Sequence, residues 1–285
     1  MVTGATGAVG RHVAHRLGTR STLRVVVRDP QKAAHLGLPG EVVHGDYRDR
    51  QRMRQAVEGA DALFLVTADP LRPEEDEHLL SAARAGGVRH VVKLSGLSVA
   101  DPQASDLITQ WNRRSEERLR SSGTDWTVLR IRALMSNTLS WAESACREGV
   151  VRGLGPDRYS ACVDPRDVAD AAVTVLTQGS GHAGRVYSLT GPAAITPRQQ
   201  AAGLSRVLGR PVAFEELSAQ EALTRWRRRY PEPVAAALLE GAQQPEAVKC
   251  RVEKDLSVLT GRPARTYAHW LDDHGDWFRC PARGG

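Results

Sequence analysis

The sequence predicts an α/β fold: a doubly wound parallel sheet, followed by a smaller, mainly helical C-terminal subdomain. Three observations predict it. Residues 3–10 read TGATGAVG and run at once into a helical pattern. Short Val-rich apolar runs then alternate with helical stretches, as in parallel sheets covered on both faces. The remainder of the chain is less regular and mostly helical.

The elements follow in order. Only Met1, Val2 and Thr3 precede Gly4, whereas a central parallel strand runs about five or six residues. Either the first strand is clipped or the native start lies upstream. Glycines at the spacing of Gly4, Gly7 and Gly10 let a strand turn tightly into a helix. They also let a pyrophosphate sit against bare N–H groups at the helix N-terminus. Val9, Val13, Ala14 and Leu17 form the apolar side of that helix, with Arg11, His12 and Arg16 polar. Further strands are expected at 23–27, 41–44, 62–66, 90–94 and 126–130, and a late one at 186–189. Helices are expected at 50–57, 74–85, about 105–121, 138–148, 167–177, 197–208 and 219–228. Thr196-Pro197 reads as an N-cap with proline at N1, and Ser218 with Glu221 as a capping box. The domain division expected is 1–134, with the strand near 185–190 added to it, and 135–285. The two parts are interleaved. Residues 281–285 are expected to fray.

The chain has 285 residues, 41% hydrophobic and 25% charged, enough for a sizeable core. No apolar stretch approaches the ~20 residues of a membrane span, and no signal peptide is expected before the glycine loop. Cys146, Cys162, Cys250 and Cys280 lack metal-ligand spacing, so reduced thiols, no metal and a cytoplasmic location are expected. Lys plus Arg number 39 against 33 acidic residues, a formal charge of +6. Arg225 and Arg227–Arg229 form one basic run. Arg113, Arg114, Arg118 and Arg120 form another, with Glu116 and Glu117 interleaved as on a solvated helix face. No nucleic-acid module accompanies them, so no nucleic-acid partner is expected.

The strand at 23–27 is followed by Arg28 and Asp29. An acidic residue at this position hydrogen-bonds the ribose hydroxyls of NAD, whereas arginine matches a 2′-phosphate in charge and planar geometry. Arg28, with Lys32 four residues on, favours NADP(H). Asp29 keeps NAD(H) open as the alternative.

With these residues placed, the chain resembles the NmrA-like branch of the atypical short-chain dehydrogenase/reductases over almost its whole length. The marks are TGATGAVGR at 3–11, VVVRDP at 25–30, GDYRD at 45–49, KLSG at 93–96 and SSGTDWTVLR at 121–130. VDPRDVADAA at 163–172, YSLTGP at 187–192 and LGRPV at 208–212 complete them. The resemblance implies a Rossmann-type fold with Gly4, Thr6, Gly7, Val9 and Gly10 along the pyrophosphate. It places Arg28 on the 2′-phosphate, Asp46 and Tyr47 at the adenine, and Thr67 near the nicotinamide ribose. Ser95 and Gly96 border the nicotinamide, and residues 131–135, including Ala133 and Met135, cross the active-site mouth. These positions also lie at carboxyl ends of strands, where open α/β sheets bind ligands.

The Tyr-x-x-x-Lys pair of the wider superfamily is missing. The helix after the fifth strand reads Ile108-Thr109-Gln110-Trp111-Asn112-Arg113-Arg114-Ser115-Glu116. Related reductases carry lysine or histidine eleven residues before the glycine of the SG turn, which here is Asn112. Ile108, Trp111, Asn112, Ser115 and Leu119 share one helical stripe, so Asn112 can face the site. An asparagine donates a hydrogen bond but shuttles no proton. Lys93 and Ser95 share a strand face and are the other polar candidates. Trp111 and Trp141 are candidate walls for a flat substrate. Asp164 and Asp167 read as a turn residue and a helix cap, and His78 and His90 as structural.

These readings predict an NADPH-dependent reductase of a small conjugated or aromatic molecule, such as a quinone, enone or imine. A non-enzymatic NADP(H)-binding sensor is the alternative, and an epimerase or lyase a third possibility. A monomer or homodimer with no membrane association is expected.

Overall fold

The computed structural model describes residues 1–244 and 249–280. The fraying expected at 281–285 lies outside them. Backbone proximity gathers the chain into two compact units. The first comprises Met1–Ile131, Pro165–Leu189 and Lys254–Arg262, the second Arg132–Asp164, Thr190–Glu253 and Pro263–Gly285. The first unit thus takes in the helix after Pro165 and the stretch 254–262, as well as the late strand.

The first unit is a parallel sheet. Its strands are β1 (Arg24–Val27), β2 (Glu41–His44), β3 (Ala62–Leu65), β4 (His90–Gly96) and β5 (Asp125–Ile131), with β7 (Arg185–Leu189) at one edge. The second unit supplies β6 (Val150–Gly153) and β8 (Ala213–Glu216), which pair parallel with Val150 opposite Ala213. β1 pairs with β2, and β3, β4, β5 and β7 follow one another. Val2 joins the two sets by bridging Val25 on one side and Phe64 on the other. Its N–H donates to Arg24 O at 2.8 Å, while Met1 O accepts the Phe64 N–H at 2.9 Å. Val2 therefore holds the centre of the sheet through one bridge on each side. Thr3 closes it: its hydroxyl accepts the Val66 N–H at 2.7 Å and donates to Phe64 O at 3.0 Å.

The helices of this unit are α1 (Gly10–Leu17), α2 (Pro30–His35), α3 (Arg50–Val57), α4 (Glu74–Ala85), α5 (Leu107–Arg120), α7 (Pro165–Gln178) and α11 (Asp255–Thr260). α3, α4 and α5 pack as one layer on the sheet, and α1, α7 and α11 as another. Met53, Val57, Leu63, Leu79, Val91 and Leu119 form the core beneath the first layer. α7 starts two residues earlier than the pattern predicts. Asp164 then precedes the helix, while Asp167 lies inside its first turn and accepts from Arg262 at 3.0 Å.

The second unit holds α6 (Ala142–Glu148), α8 (Pro197–Leu208), α9 (Ala219–Arg227), α10 (Glu232–Gln243) and α12 (Tyr267–His274). Residues Met135–Trp141 form a 3-10 turn where the pattern suggested helix from 138. The capping box of Ser218 with Glu221 forms as expected, and the Thr196 cap is completed into a second box by Gln199. The core is aromatic: Trp270 stacks on Tyr267 at 5.7 Å and on His274 at 4.6 Å. β6 and β8, four residues each, carry too little alternation to be read as strands. One expectation is corrected. Cys146 and Cys280 form a disulfide, Cα–Cα 5.2 Å, across 134 residues of sequence, while Cys162 is a buried thiol. No local spacing announces a pair so distant in sequence.

Candidate active site

The glycine loop is shaped by backbone contacts. Gly4 has φ +62°, and a Cβ there would stand 2.9 Å from Val66 Cβ. A Cβ on Gly10 would come within 2.2 Å of Gly4 O, so α1 can start this close to the loop only on glycine. Gly7 is exposed, and a Cβ there would meet only Gly4 O, at 3.1 Å. Val9, in the N-cap position of α1, is buried and gives no side-chain cap. Thr6 is half-buried beside the loop. The outer face is therefore a bare cradle at an uncapped helix N-terminus, which fits a dinucleotide pyrophosphate.

Tyr47 departs from its expected place at the adenine. Its phenol is buried and its oxygen accepts the Gly4 N–H at 2.8 Å, so it props the loop from behind. His78 Nδ1 contacts Tyr47 O at 3.0 Å, a structural role as expected. Asp46 is bound by Arg48, Nε to Oδ1 at 2.9 Å, and that hydrogen bond holds its carboxyl down at about 2.

The two residues after β1 separate cleanly. Asp29 is the N-cap of α2, its carboxylate accepting the Lys32 N–H at 3.0 Å. Arg28 is exposed and makes no hydrogen bond or ion pair among the described residues, and Lys32 is likewise exposed. The acidic residue is spent on a helix start and the cation is left available. That arrangement fits a 2′-phosphate rather than ribose hydroxyls.

The side chains of Thr67, Lys93 and Ser95, at the ends of β3 and β4, turn toward buried carboxylates. Lys93 is fully buried and pairs with the fully buried Asp76 of α4, Nζ to Oδ1 at 3.1 Å. Thr67 donates to the same oxygen at 2.8 Å. A buried ammonium requires such a partner, so Lys93 does not present its charge at a crevice. Its Nζ lies 5.5 Å from the centroid of Trp111. Trp111 is itself buried, its Nε1 without a partner among the described residues, so it lies in the interior and forms no exposed wall. Trp141 is half-buried and packs edge-on to Phe214 at 6.1 Å, against the core of the second unit.

Ser95 donates to Glu116 Oε1 at 2.7 Å and stands 3.5 Å from Asn112 Oδ1. Glu116 is the residue that the pattern misplaced on a solvated face. It is fully buried and gripped by Arg130, Nε to Oε1 at 2.9 Å, and by Arg120, Nη2 to Oε2 at 2.8 Å. Burial pushes its carboxyl up. The hydrogen bonds from Arg130, Ser95 and Arg120 outweigh that and hold it below the ordinary range. The available signal was positional: Glu116 lies four residues after Asn112, on the same stripe. Asn112 donates to Ile108 O at 3.0 Å, and a Cβ on Gly96 would come 3.5 Å from its Nδ2. Its amide thus stands beside Gly96, at the carboxyl end of β4. His90 is buried, Nε2 at 2.9 Å from Thr127 Oγ1, a core residue as expected.

The second unit encloses a cavity of about 380 Å³. Met135 lines it, whereas Ala133 does not and instead accepts the Val163 N–H at 2.9 Å. Cys162 also lines it. Burial pushes its thiol up to about 11, and Gln200 donates to its sulfur at 3.4 Å. Among the described residues no group of three or more His, Cys, Asp or Glu is placed to hold a metal ion, and no helix is long and apolar enough to cross a membrane.

Residues 4–179 match the family described as NAD(P)H-binding. The chain belongs to that family. It is 50% identical over 279 residues to the (4-alkanoyl-5-oxo-2,5-dihydrofuran-3-yl)methyl phosphate reductase of Streptomyces griseus, covering 98% of both chains. It is 33% identical over 288 residues to the NAD(P)H azoreductase of Xenophilus azovorans, again 98% of each. The crystal structure of the Escherichia coli quinone oxidoreductase QOR2 with NADPH superposes with a TM-score of 0.79 at 29% identity, over 96% of this chain and 98% of that one. The chain is an NAD(P)H-dependent oxidoreductase of Rossmann-type fold.

Proposed function

We propose that this protein reduces the alkene of a small molecule conjugated to carbonyl groups, of the alkanoyl-dihydrofuranone kind. The observation that carries the reading is the inward commitment of Ser95, Thr67 and Lys93, which leaves the Asn112 amide and the Ser98 hydroxyl, each 3.5 Å from a Cβ built on Gly96, as the polar groups there. Asn112 can orient a carbonyl but can hand over no proton. The substrate must therefore tolerate a site without an acid.

NADPH supplies the hydride. The glycine cradle holds the pyrophosphate against bare backbone, and Arg28, with Lys32, takes the 2′-phosphate. Asn112 aligns a substrate carbonyl, and Glu116 keeps Ser95 and Asn112 in register. The alkene carbon remote from the carbonyls accepts the hydride, and the other becomes an enolate carbon. In an alkanoyl-dihydrofuranone that enolate is flanked by the ketone and the lactone carbonyl. Its charge is spread over both oxygens, and solvent supplies the proton. One alkene and one proton are consumed for each NADPH oxidised. The substrate named for the S. griseus relative has this chemistry, which supports the reading.

The test is NADPH consumption with an alkanoyl-dihydrofuranone phosphate, beside the analogue lacking the alkanoyl ketone and a simple quinone. Turnover of the doubly activated alkene well above the singly activated one is expected. Equal rates for the two would overturn the argument from the enolate. Tight NADPH binding with turnover of none of them would overturn the reading itself.

A further inference from the structure

We infer that the second unit carries a binding site for a phosphate monoester, built from the Arg132 guanidinium and the Ser160 hydroxyl. The inference stands apart from the reading of the activity above.

Arg132 is the first residue of the second unit and is half-buried. Its Nε donates to Ser160 Oγ at 3.2 Å. Among the described residues no carboxylate pairs with it, and its two terminal nitrogens make no hydrogen bond. Arg130, two residues earlier, shows the usual arrangement: its fork lies on Glu116, at 2.9 Å and 2.6 Å. Burial disfavours the Arg132 charge, and only the Cys162 thiol acts on it in the opposite sense. A guanidinium does not give up its proton, so the charge stays and part of its hydration is lost without replacement. A bound anion would restore what water no longer supplies.

The partner hydroxyl selects the kind of anion. Ser160 Oγ accepts from Arg132, so its own hydrogen is left to donate, and no acceptor among the described residues takes it. The site thus offers two parallel N–H groups on the outer guanidinium edge and one O–H. A carboxylate has two oxygens, which the guanidinium edge satisfies alone. A phosphate monoester has three terminal oxygens and uses all three donors.

The donors are also held in place. Ser160 exchanges both backbone hydrogen bonds with Ile195, at 3.0 Å and 3.1 Å. The run after Arg132 is tied to the run after Ser160: Ala133 O accepts the Val163 N–H, and the Met135 N–H donates to Val163 O, each at 2.9 Å. Donors fixed before the ligand arrives spare the cost of ordering them on binding.

The experiment titrates methyl phosphate into the NADPH-loaded protein by calorimetry, with acetate at equal ionic strength as the comparison. Loading with NADPH keeps the probe out of the glycine cradle. The wild type should bind methyl phosphate more tightly than acetate. Arg132→Gln should weaken methyl phosphate by about tenfold or more, the loss of one charge-assisted contact. Arg132→Lys keeps the charge without the fork and should recover only part of that loss. Ser160→Ala should cost severalfold. The melting temperature of Arg132→Gln without the probe should not fall below that of the wild type, because the charge removed has no partner to lose. Heat absent from the wild type or undiminished in the folded variants would overturn the inference, as would acetate bound as tightly as methyl phosphate. If Arg132→Gln melts far below the wild type or does not fold, Ser160→Ala decides, since it leaves the guanidinium in place. Undiminished affinity there would make Arg132 a structural residue and overturn the inference.

Discussion

The interiors of the two units are built on opposite principles. The first buries charge. Lys93 with Asp76, and Glu116 with Arg130, sit against α4 and α5 with little or no exposure, while Arg120 reaches Glu116 from the exposed end of α5. The second buries aromatic and sulfur groups around Trp270, adds the Cys146–Cys280 disulfide, and leaves an open apolar cavity. Buried ion pairs return little net stability, because desolvation offsets their attraction, but they fix geometry. An aromatic core returns stability and tolerates adjustment of volume. The contrast teaches where precision is required. It lies at the ends of β3 and β4, where a cofactor and a substrate carbonyl must meet within a fraction of an ångström.

If that contrast is right, the largest effect should come from the charged interior. Glu116→Ala should destabilise the protein by about 3–5 kcal/mol, since Arg130 keeps its buried charge without a partner. Urea unfolding at neutral pH measures it; a cost near that of an exposed residue would remove Glu116 from the framework. The same group gives the contrast a sign with pH. Its folded carboxyl lies below its ordinary 4.5. Its contribution to stability is therefore complete above that value and is lost as pH falls through the folded value. Glu116→Gln should flatten this acid limb of the stability curve.

A smaller effect is expected at the cradle, which is bare where the interior is crowded. Gly7→Val should weaken NADPH by about 100-fold or more, because the side chain occupies the space of the pyrophosphate. The melting temperature of the apo protein should hardly move, since a Cβ at Gly7 meets only Gly4 O at 3.1 Å. Fluorescence titration with NADPH decides between a binding loop and a mere turn.

Arg28→Ala ranks next. One charge-assisted contact contributes about 1.5–3 kcal/mol. NADPH affinity should therefore fall about tenfold or more, while NADH affinity stays unchanged. A parallel loss for both cofactors would assign Arg28 to something other than the 2′-phosphate.

The smallest effect sharpens the comparison most. Asn112→Ala should lower kcat severalfold, far short of the ~10²–10⁴-fold lost with a proton donor. The pH–rate profile should keep its shape. A limb that vanished with Asn112 would mean that the site does carry proton transfer through this helix.

The first unit was legible because its signals are local. The glycine spacing and the Val-rich runs act within a few residues, as does the cap at Thr196 in the second unit. The strands read as 41–44 and the helices read as 50–57, 74–85 and 197–208 have the bounds that the pattern gave. What misled was side-chain direction. Glu116 looked solvated beside Arg114, Glu117 and Arg118, although it shares a stripe with Asn112. Lys93 looked like a crevice residue because its partner Asp76 lies in an acidic first turn that resembles ordinary helix-dipole chemistry.

The sequence by itself determined the family, the sheet, the glycine cradle and the cofactor class, all of which depend on backbone geometry and near neighbours. Tertiary structure alone decided the rest. It turned Ser95, Thr67 and Lys93 inward, set Tyr47 behind Gly4 and paired Cys146 with Cys280. It also opened the cavity between α8 and α12. Each of these depends on a partner tens of residues or more away, or on a neighbouring helix. A buried polar group must find its partner in three dimensions, and no periodicity along the chain records where that partner will be.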